Sequence, residues 1–263
     1  KNFIFKILIK ILSRLKKTHS RDFLDKIEYL ILVANGKHRG GYDLKDEVMQ
    51  IKEVFKNEKI NNIIDCGANE GKYTDFLMKY FPNSNYFLFE PNKVLFHSLM
   101  NKFENKKNIK IFDFGLSDEN ATVKFYETDY HGLSSLYERK HEIREKKFLN
   151  FKSNNLVKVK TFESLNLHQN IDILKIDVEG AELKVLNGFK DKILNVKVIQ
   201  FEFGRSSLDS KSSFLDFYKF FEDKNFDIFR MTPSGLKKIS NYSYFNEMFI
   251  AMNFLAINKK KFN

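Results

Sequence analysis

The stretch Asn62-Ile63-Ile64-Asp65-Cys66-Gly67-Ala68-Asn69-Glu70-Gly71 constrains the fold more than any other part of the chain. An apolar run ends in an acid, and a glycine-rich turn follows at once. Residues 72–80 then place Phe76, Leu77 and Tyr80 on one helical side. Strand, tight turn and helix in that order build a nucleotide crevice at the carboxyl end of a parallel strand. Gly67 and Gly71 carry no Cβ, so the backbone there can come close to a ligand. The turn also brings the N–H groups of a helix start towards the crevice.

The glycines alone would suit a nicotinamide or flavin site, or a structural turn that binds nothing. The acids narrow the reading. The dinucleotide fingerprint is G-x-G-x-x-G, whereas here Gly67 and Gly71 stand four apart behind Asp65. A second apolar run, 85–89, ends at Glu90-Pro91-Asn92. A carboxylate at Glu90 is placed to accept from two ribose hydroxyls, and Asp65 sets negative charge beneath the turn. That charge disfavours a pyrophosphate and favours a cationic ligand. S-adenosylmethionine has a sulfonium and an ammonium and no phosphate, so it is the expected cofactor.

With 263 residues, 43% of them hydrophobic and 30% charged, the chain is globular and long enough for one large core plus an appended element. The net charge of +11 would suit nucleic acid or an anionic membrane. A lysine-rich coding bias explains it as well, so a nucleic-acid partner is not favoured. The lone Cys66 cannot pair within the chain, fits a reducing, cytoplasmic setting, and reads as a small packed residue. The chain opens on Lys1 rather than Met, and a longer parent chain is the expectation. No run reaches the ~20 apolar residues of a membrane span, and no signal-peptide pattern is seen. Residues 1–17 put Ile4, Ile7, Leu8, Ile11 and Leu15 on one stripe, opposite Lys6, Lys10, Arg14 and Lys17. Such a helix can lie peripherally on an anionic inner membrane face. Packing on the body of the protein or self-association into a homo-oligomer is the favoured expectation.

Helices are expected at 21–35, with Ser20 as cap and Gly36 as stop, and at 46–57. A basic turn, Lys37-His38-Arg39-Gly40-Gly41-Tyr42, lies between them. Strands at 62–65, 85–90, 109–114, 171–177 and 198–203 alternate with helices at 72–80, 93–103, 181–187 and 213–222. Further strands at 227–231 and 248–257 flank a turn at Pro233-Ser234-Gly235. This alternation predicts a doubly wound α/β sheet. Residues 1–58 read as an N-terminal helical extension and 59–263 as the ligand-binding domain. Residues 117–167 interrupt the alternation with two β-like runs, 121–126 and 157–162, a polar loop near His131, and a charge run at 139–147 read as a solvated helix face. An insertion between the third and fourth strands sits over the ligand edge and is the expected substrate lid.

Taken in order, these residues resemble the FkbM family of S-adenosylmethionine-dependent methyltransferases. The resemblance runs over residues 62–257: D-x-G-A-N-x-G at Asp65 to Gly71, F-E-P-N at Phe89 to Asn92, Gly115-Leu116-Ser117-Asp118, the run Val157 to Leu165, and K-I-D-V-E-G-A-E at Lys175 to Glu182. Gly115 stands where alanine is commoner, and Glu163 where aspartate is. The resemblance implies a class I methyltransferase, Rossmann-like sheet of about seven strands with the last antiparallel, and O-methylation of sugars or secondary metabolites.

Methyl transfer to an alcohol needs alignment and a base. Asp177 or Glu179 is the expected base, with Glu202 close by and His131 a competitor. Glu182 is assigned to the start of its helix. The expected cofactor contacts are Asp65, Gly67, Ala68, Asn69, Gly71, Tyr73, Glu90, Pro91, Asn92, Asp113, Ser117 and Asp177. Asp177, Glu179 and Glu202 could together hold Mg²⁺, a route that is not favoured, and no zinc spacing occurs. The expected acceptor is a carbohydrate or other small molecule. Lys37, Arg39, Lys158 and Lys160 could meet an acidic glycan but read better as a solvated face. The N/D-P-P-Y/F/W motif of base amino methylation is replaced by Asp177-Val178-Glu179-Gly180.

Overall fold

The protein is described here by a computed structural model covering residues 2–15, 21–38, 43–56, 58–128, 131–139, 154–167 and 170–262. The Ser20 cap, Arg39, and the charge run from residue 140 onward lie outside the described residues. Three helices come first: α1 (Asn2–Leu15), α2 (Arg21–Ala34) and α3 (Leu44–Phe55). Then follow β1 (Asn62–Cys66), α4 (Lys72–Tyr80), β2 (Asn85–Phe89), α5 (Lys93–Lys102) and β3 (Ile109–Phe112). The intervening segment holds β4 (Gly115–Leu116), β5 (Ala121–Tyr126) and β6 (Asn154–Lys160). The chain closes with β7 (Ile171–Ile176), α6 (Glu182–Gly188), β8 (Val196–Phe203), α7 (Ser206–Ser210), α8 (Phe214–Asp223), β9 (Phe226–Thr232), β10 (Gly235–Ile239) and β11 (Met252–Asn258).

The main sheet has eight strands in the order β10-β9-β11-β8-β7-β1-β2-β3. β1 pairs in parallel with β2 and β7, β7 with β8, and β2 with β3; β11 runs antiparallel to both β8 and β9. Central parallel strands are covered on both faces and therefore read as continuous apolar runs. Alternation still sorts them. Ile63, Ile173 and Val198 join Val48 and Ile51 of α3 and Leu77 of α4 in one core layer. Ile64, Leu174 and Ile199 join Val185 and Leu186 of α6 and Phe217 and Phe221 of α8 in the other. α3 thus packs directly under the sheet.

Three expectations need correction. The third strand ends at Phe112, two residues early. The chain bends there and enters a second, three-stranded sheet, β4-β6-β5, in which Gly115 and Leu116 pair in parallel with Val159 and Lys160. The main sheet has eight strands rather than seven, because the turn after Thr232 folds β10 back onto β9 as an edge hairpin. Among the described side chains of the α1 stripe the expected packing on the body is not seen: Ile7, Leu8 and Ile11 stay exposed.

Candidate active site

The turn after β1 is held by backbone. Gly67 and Ala68 N–H groups both donate to the Phe89 carbonyl at the tip of β2, and Asp177 N–H donates to the Cys66 carbonyl. A Cβ on Gly67 would lie 2.0 Å from the Asp177 carbonyl oxygen, and its φ is +78°. Only glycine brings the tips of β1 and β7 this close. Asn69 is also left-handed, with φ of 51°. This conformation points its N–H at Glu90 Oε2 (2.8 Å), while Asn92 N–H donates to Glu90 Oε1 (2.9 Å). Burial pushes the Glu90 carboxyl up to about 7 even though those two N–H bonds pull it down.

Asp65 lies below this turn, fully buried. Thr74 Oγ1 donates to its Oδ2 at 2.7 Å, and Lys175 Nζ stands 3.2 Å from its Oδ1. Lys175 also reaches Asp177 at 3.6 Å. Burial alone would push the Lys175 ammonium down, but Asp65 and Asp177 more than reverse this and its affinity for the proton is raised. The expectation that Asp65 lends its charge to a cationic ligand is therefore corrected. Its charge is balanced by Lys175, which stands between it and Asp177, a residue that lines the crevice. Next to this pair, Tyr73 donates its hydroxyl to Gln200 Oε1, Gln200 Nε2 donates to Glu47 (2.7 Å), and Asn253 Nδ2 donates to the other Glu47 oxygen (2.8 Å). Buried polar groups persist when bonded in this way.

Over this floor lies a cavity of about 530 Å³, within the size range of small-molecule sites. Gly67, Ala68, Asn69, Tyr73, Glu90, Pro91, Lys175, Asp177 and Glu179 line its floor. Leu95, Gly115, Leu116, Phe125 and Val159 make an apolar flank, and Gly132, Leu133, Ser134 and Leu136 close it from the insertion. The insertion is tied down beside β7. Ser135 Oγ donates to the Glu179 carbonyl at 2.6 Å, and the buried Arg139 guanidinium pairs with the Glu179 carboxylate.

Eight expected residues thus line the cavity: Gly67, Ala68, Asn69, Tyr73, Glu90, Pro91, Asp177 and Glu179. Six do not. Asp65 is beneath the floor. Gly71 packs towards Leu99 and Phe103 of α5. Asn92 caps α5, its side chain accepting from Val94 and Leu95 N–H groups. Asp113 is exposed at the bend after β3, and Ser117 is buried beside Asp118, to which it donates. Glu202 sits on β8 opposite Asn253. His131 opens a single 3₁₀ turn, His131–Leu133, and its side chain lies outside the described residues. Glu182 is buried and accepts from the N–H groups of Val178 and Gly180, which shapes the turn after Asp177. Burial pushes its carboxyl up to about 7 against those bonds. Among the described residues, no cluster of three His, Cys, Asp or Glu side chains is arranged to hold a metal ion. Sequence reasoning missed Lys175 and Arg139. Lys175 had a signal, a charge inside a buried strand that must have a partner. Arg139 had none.

The residues present fit S-adenosylmethionine. Asn69 Oδ1 is buried at the cavity and accepts no hydrogen bond from the described residues, which suits a donor such as an ammonium. The Glu90 carboxylate suits a diol, the apolar flank suits a purine, and the turn at Gly67 has no room for a side chain.

Residues 65–228 match the family described as the methyltransferase FkbM domain. Methyltransferase 1 of Beauveria bassiana is 27% identical over 195 residues, which is 63% of this chain and 72% of that protein. The 2-O-methyltransferase NoeI of Sinorhizobium fredii is 22% identical over 156 residues, 56% of this chain and 64% of its own length. A solved methyltransferase FkbM from Methylobacillus flagellatus aligns with a TM-score of 0.48 at 14% identity, covering 75% of this chain and 44% of that one. The chain therefore spans less than two thirds of NoeI and less than half of that solved chain. With its glycine turn, its acidic β2 tip and a family match across more than half its length, the chain belongs to the FkbM family of S-adenosylmethionine-dependent methyltransferases.

Proposed function

We propose that the chain methylates oxygen, and that the acceptor is a sugar hydroxyl in a surface polysaccharide or glycolipid. The observation that carries this reading is the disposition of the carboxylates around the tip of β7. Asp65 is balanced by Lys175, Glu179 by Arg139, and Glu182 by the Val178 and Gly180 N–H groups. Asp177 shares Lys175 with Asp65, at the longer distance of 3.6 Å, and lines the cavity with its side chain 30% exposed.

When bound, S-adenosylmethionine supplies an electrophilic methyl group on a sulfonium. Glu90, oriented by the Asn69 and Asn92 N–H groups, holds the ribose hydroxyls. Asp177 accepts the proton of the acceptor hydroxyl as its oxygen attacks. Lys175, 3.6 Å away, holds Asp177 in place from behind. Gly132, Leu133, Ser134 and Leu136 of the insertion form the acceptor side and keep water out while the reacting atoms are aligned. NoeI, by its name a 2-O-methyltransferase, supports hydroxyl chemistry among relatives.

The test is transfer of labelled methyl from S-adenosylmethionine to a glycan fraction, with RNA as the competing acceptor. Asp177→Asn is expected to lower turnover by about 10²–10⁴-fold while donor binding persists. Label on RNA instead of glycan would end the sugar reading, and full turnover in Asp177→Asn would end the base assignment.

A further inference from the structure

A second cleft, of about 360 Å³, lies between α2 and the β9–β10 hairpin, far along the sheet from the methyl-transfer site. Three strands separate β9 from β1. Its described lining includes Lys37, Arg230 and Lys237 and no carboxylate. Burial pushes the Lys37 ammonium down, and the charges of Arg230 and Lys237 push it the same way. Three cations gathered on a recess in this manner suit an anion. The rim is apolar. Tyr244 and Phe245 beside the cleft are 72% and 64% exposed, with ring centroids 4.4 Å apart. On α2, which supplies one wall, Phe23, Leu30 and Ile31 stay exposed. On α1, Ile7, Leu8, Ile11 and Leu12 are 42–52% exposed, with Lys6 and Lys10 on the other side of the helix.

We propose that this face is a seat for an anionic phospholipid surface, with a lipid phosphate held between Lys37, Arg230 and Lys237. Exposed Tyr and Phe beside lysines, with a basic amphipathic helix touching α2, the wall of the cleft, are the residues that settle at the boundary of headgroups and acyl chains. Lys6 and Lys10 stand opposite the apolar stripe of α1, the pattern of a helix that lies along a bilayer surface. Among the described residues no helix is long and apolar enough to span. A second copy of the chain is the poorer occupant. A two-fold interface would bring the same cations face to face on a protein of net charge +11. Protein interfaces are also depleted in lysine, whereas an anionic bilayer complements it.

The test is sedimentation of the full chain with vesicles of phosphatidylcholine alone and of phosphatidylcholine mixed with phosphatidylglycerol. Binding is expected only to the mixed vesicles, with release on adding salt. Lys37→Gln with Lys237→Gln is expected to lower that affinity roughly thirtyfold, the effect of two surface lysines. Tyr244→Ser with Phe245→Ser is expected to lower it as well. Both double variants should keep the parent's unfolding midpoint and donor affinity, which separates a lost seat from a lost fold. The proposal is overturned by equal binding to neutral and anionic vesicles, or by lysine variants that bind as the parent does. Self-association with no vesicle binding overturns it too.

Discussion

The floor of the methyl-transfer cavity and its roof are built differently. The floor is backbone: Gly67, Ala68, Asn69 and Asp177 are fixed by N–H bonds between the tips of β1, β2 and β7, and the one buried cation beneath them, Lys175, is locked between two acids. The roof is side chain: Ser135 and Arg139 reach across forty residues of sequence to a single partner, Glu179. If the floor meets the donor and the roof the acceptor, as proposed, such a site can keep one donor while the acceptor changes.

Substitutions can break or sharpen this contrast. The largest loss is expected beneath the floor. Lys175→Met leaves Asp65 as an unbalanced buried charge and should cost about 3–5 kcal/mol of stability, read by denaturant unfolding; a loss well below that would mean the two regions are equally tolerant. Gly67→Ala comes next. Its Cβ would strike the Asp177 carbonyl in a left-handed turn, and about 3 kcal/mol of stability together with donor binding should be lost, as seen by calorimetry and donor titration.

Glu90 gives the floor a pH signature. Its carboxyl is raised from 4.5 to about 7. In the proposed site an ionised Glu90 would accept from both ribose hydroxyls, so donor affinity should climb by up to about tenfold per pH unit below that value and level off above it. Stability runs the other way. The advantage of keeping this acid neutral is fully present below pH 4.5 and is lost as pH rises through about 7. Titrations of Glu90→Gln should show neither slope from this residue; an unchanged donor profile would remove Glu90 from the site.

In the roof, Arg139→Ala should lower kcat/KM for the acceptor by about tenfold through misplacement, with donor affinity nearly unchanged. Equal losses for donor and acceptor would show that the roof is part of the floor. The smallest effect is expected at Gly132. The nearest atom to an added Cβ is Asn69 Nδ2 at 3.4 Å, and no left-handed φ is required there. Gly132→Ala should shift stability by less than about 0.5 kcal/mol in the same thermal unfolding assay as Gly67→Ala.

The floor was the legible part because its signals are local. Gly67 sits one residue past an apolar strand, and Glu90 ends the next one. Asn92 was legible as conspicuous but not as a helix cap, since a residue that follows an acid at a strand tip could serve either ligand or helix. Asp113 and Ser117 were misplaced because β3 stops early to let β4 join β6, a partner about forty residues further on. β10 was missed because an edge strand carrying Lys237 and Lys238 has no buried face to give it an alternating pattern. Glu179 was an equal candidate with Asp177 for the base, and its left-handed backbone and its pairing with Arg139 were not legible in the sequence.

Sequence alone carried the strand–helix alternation of the doubly wound core, the glycine turn at Gly67 and the acid Glu90 at the tip of β2, because each depends on neighbours a few positions away. Tertiary structure alone decided which carboxylates are engaged by a cation or an N–H group. A carboxylate's availability depends on which cation or N–H reaches it, and Lys175, Arg139 and the 178–180 turn are brought to their partners by packing across strands and across the insertion.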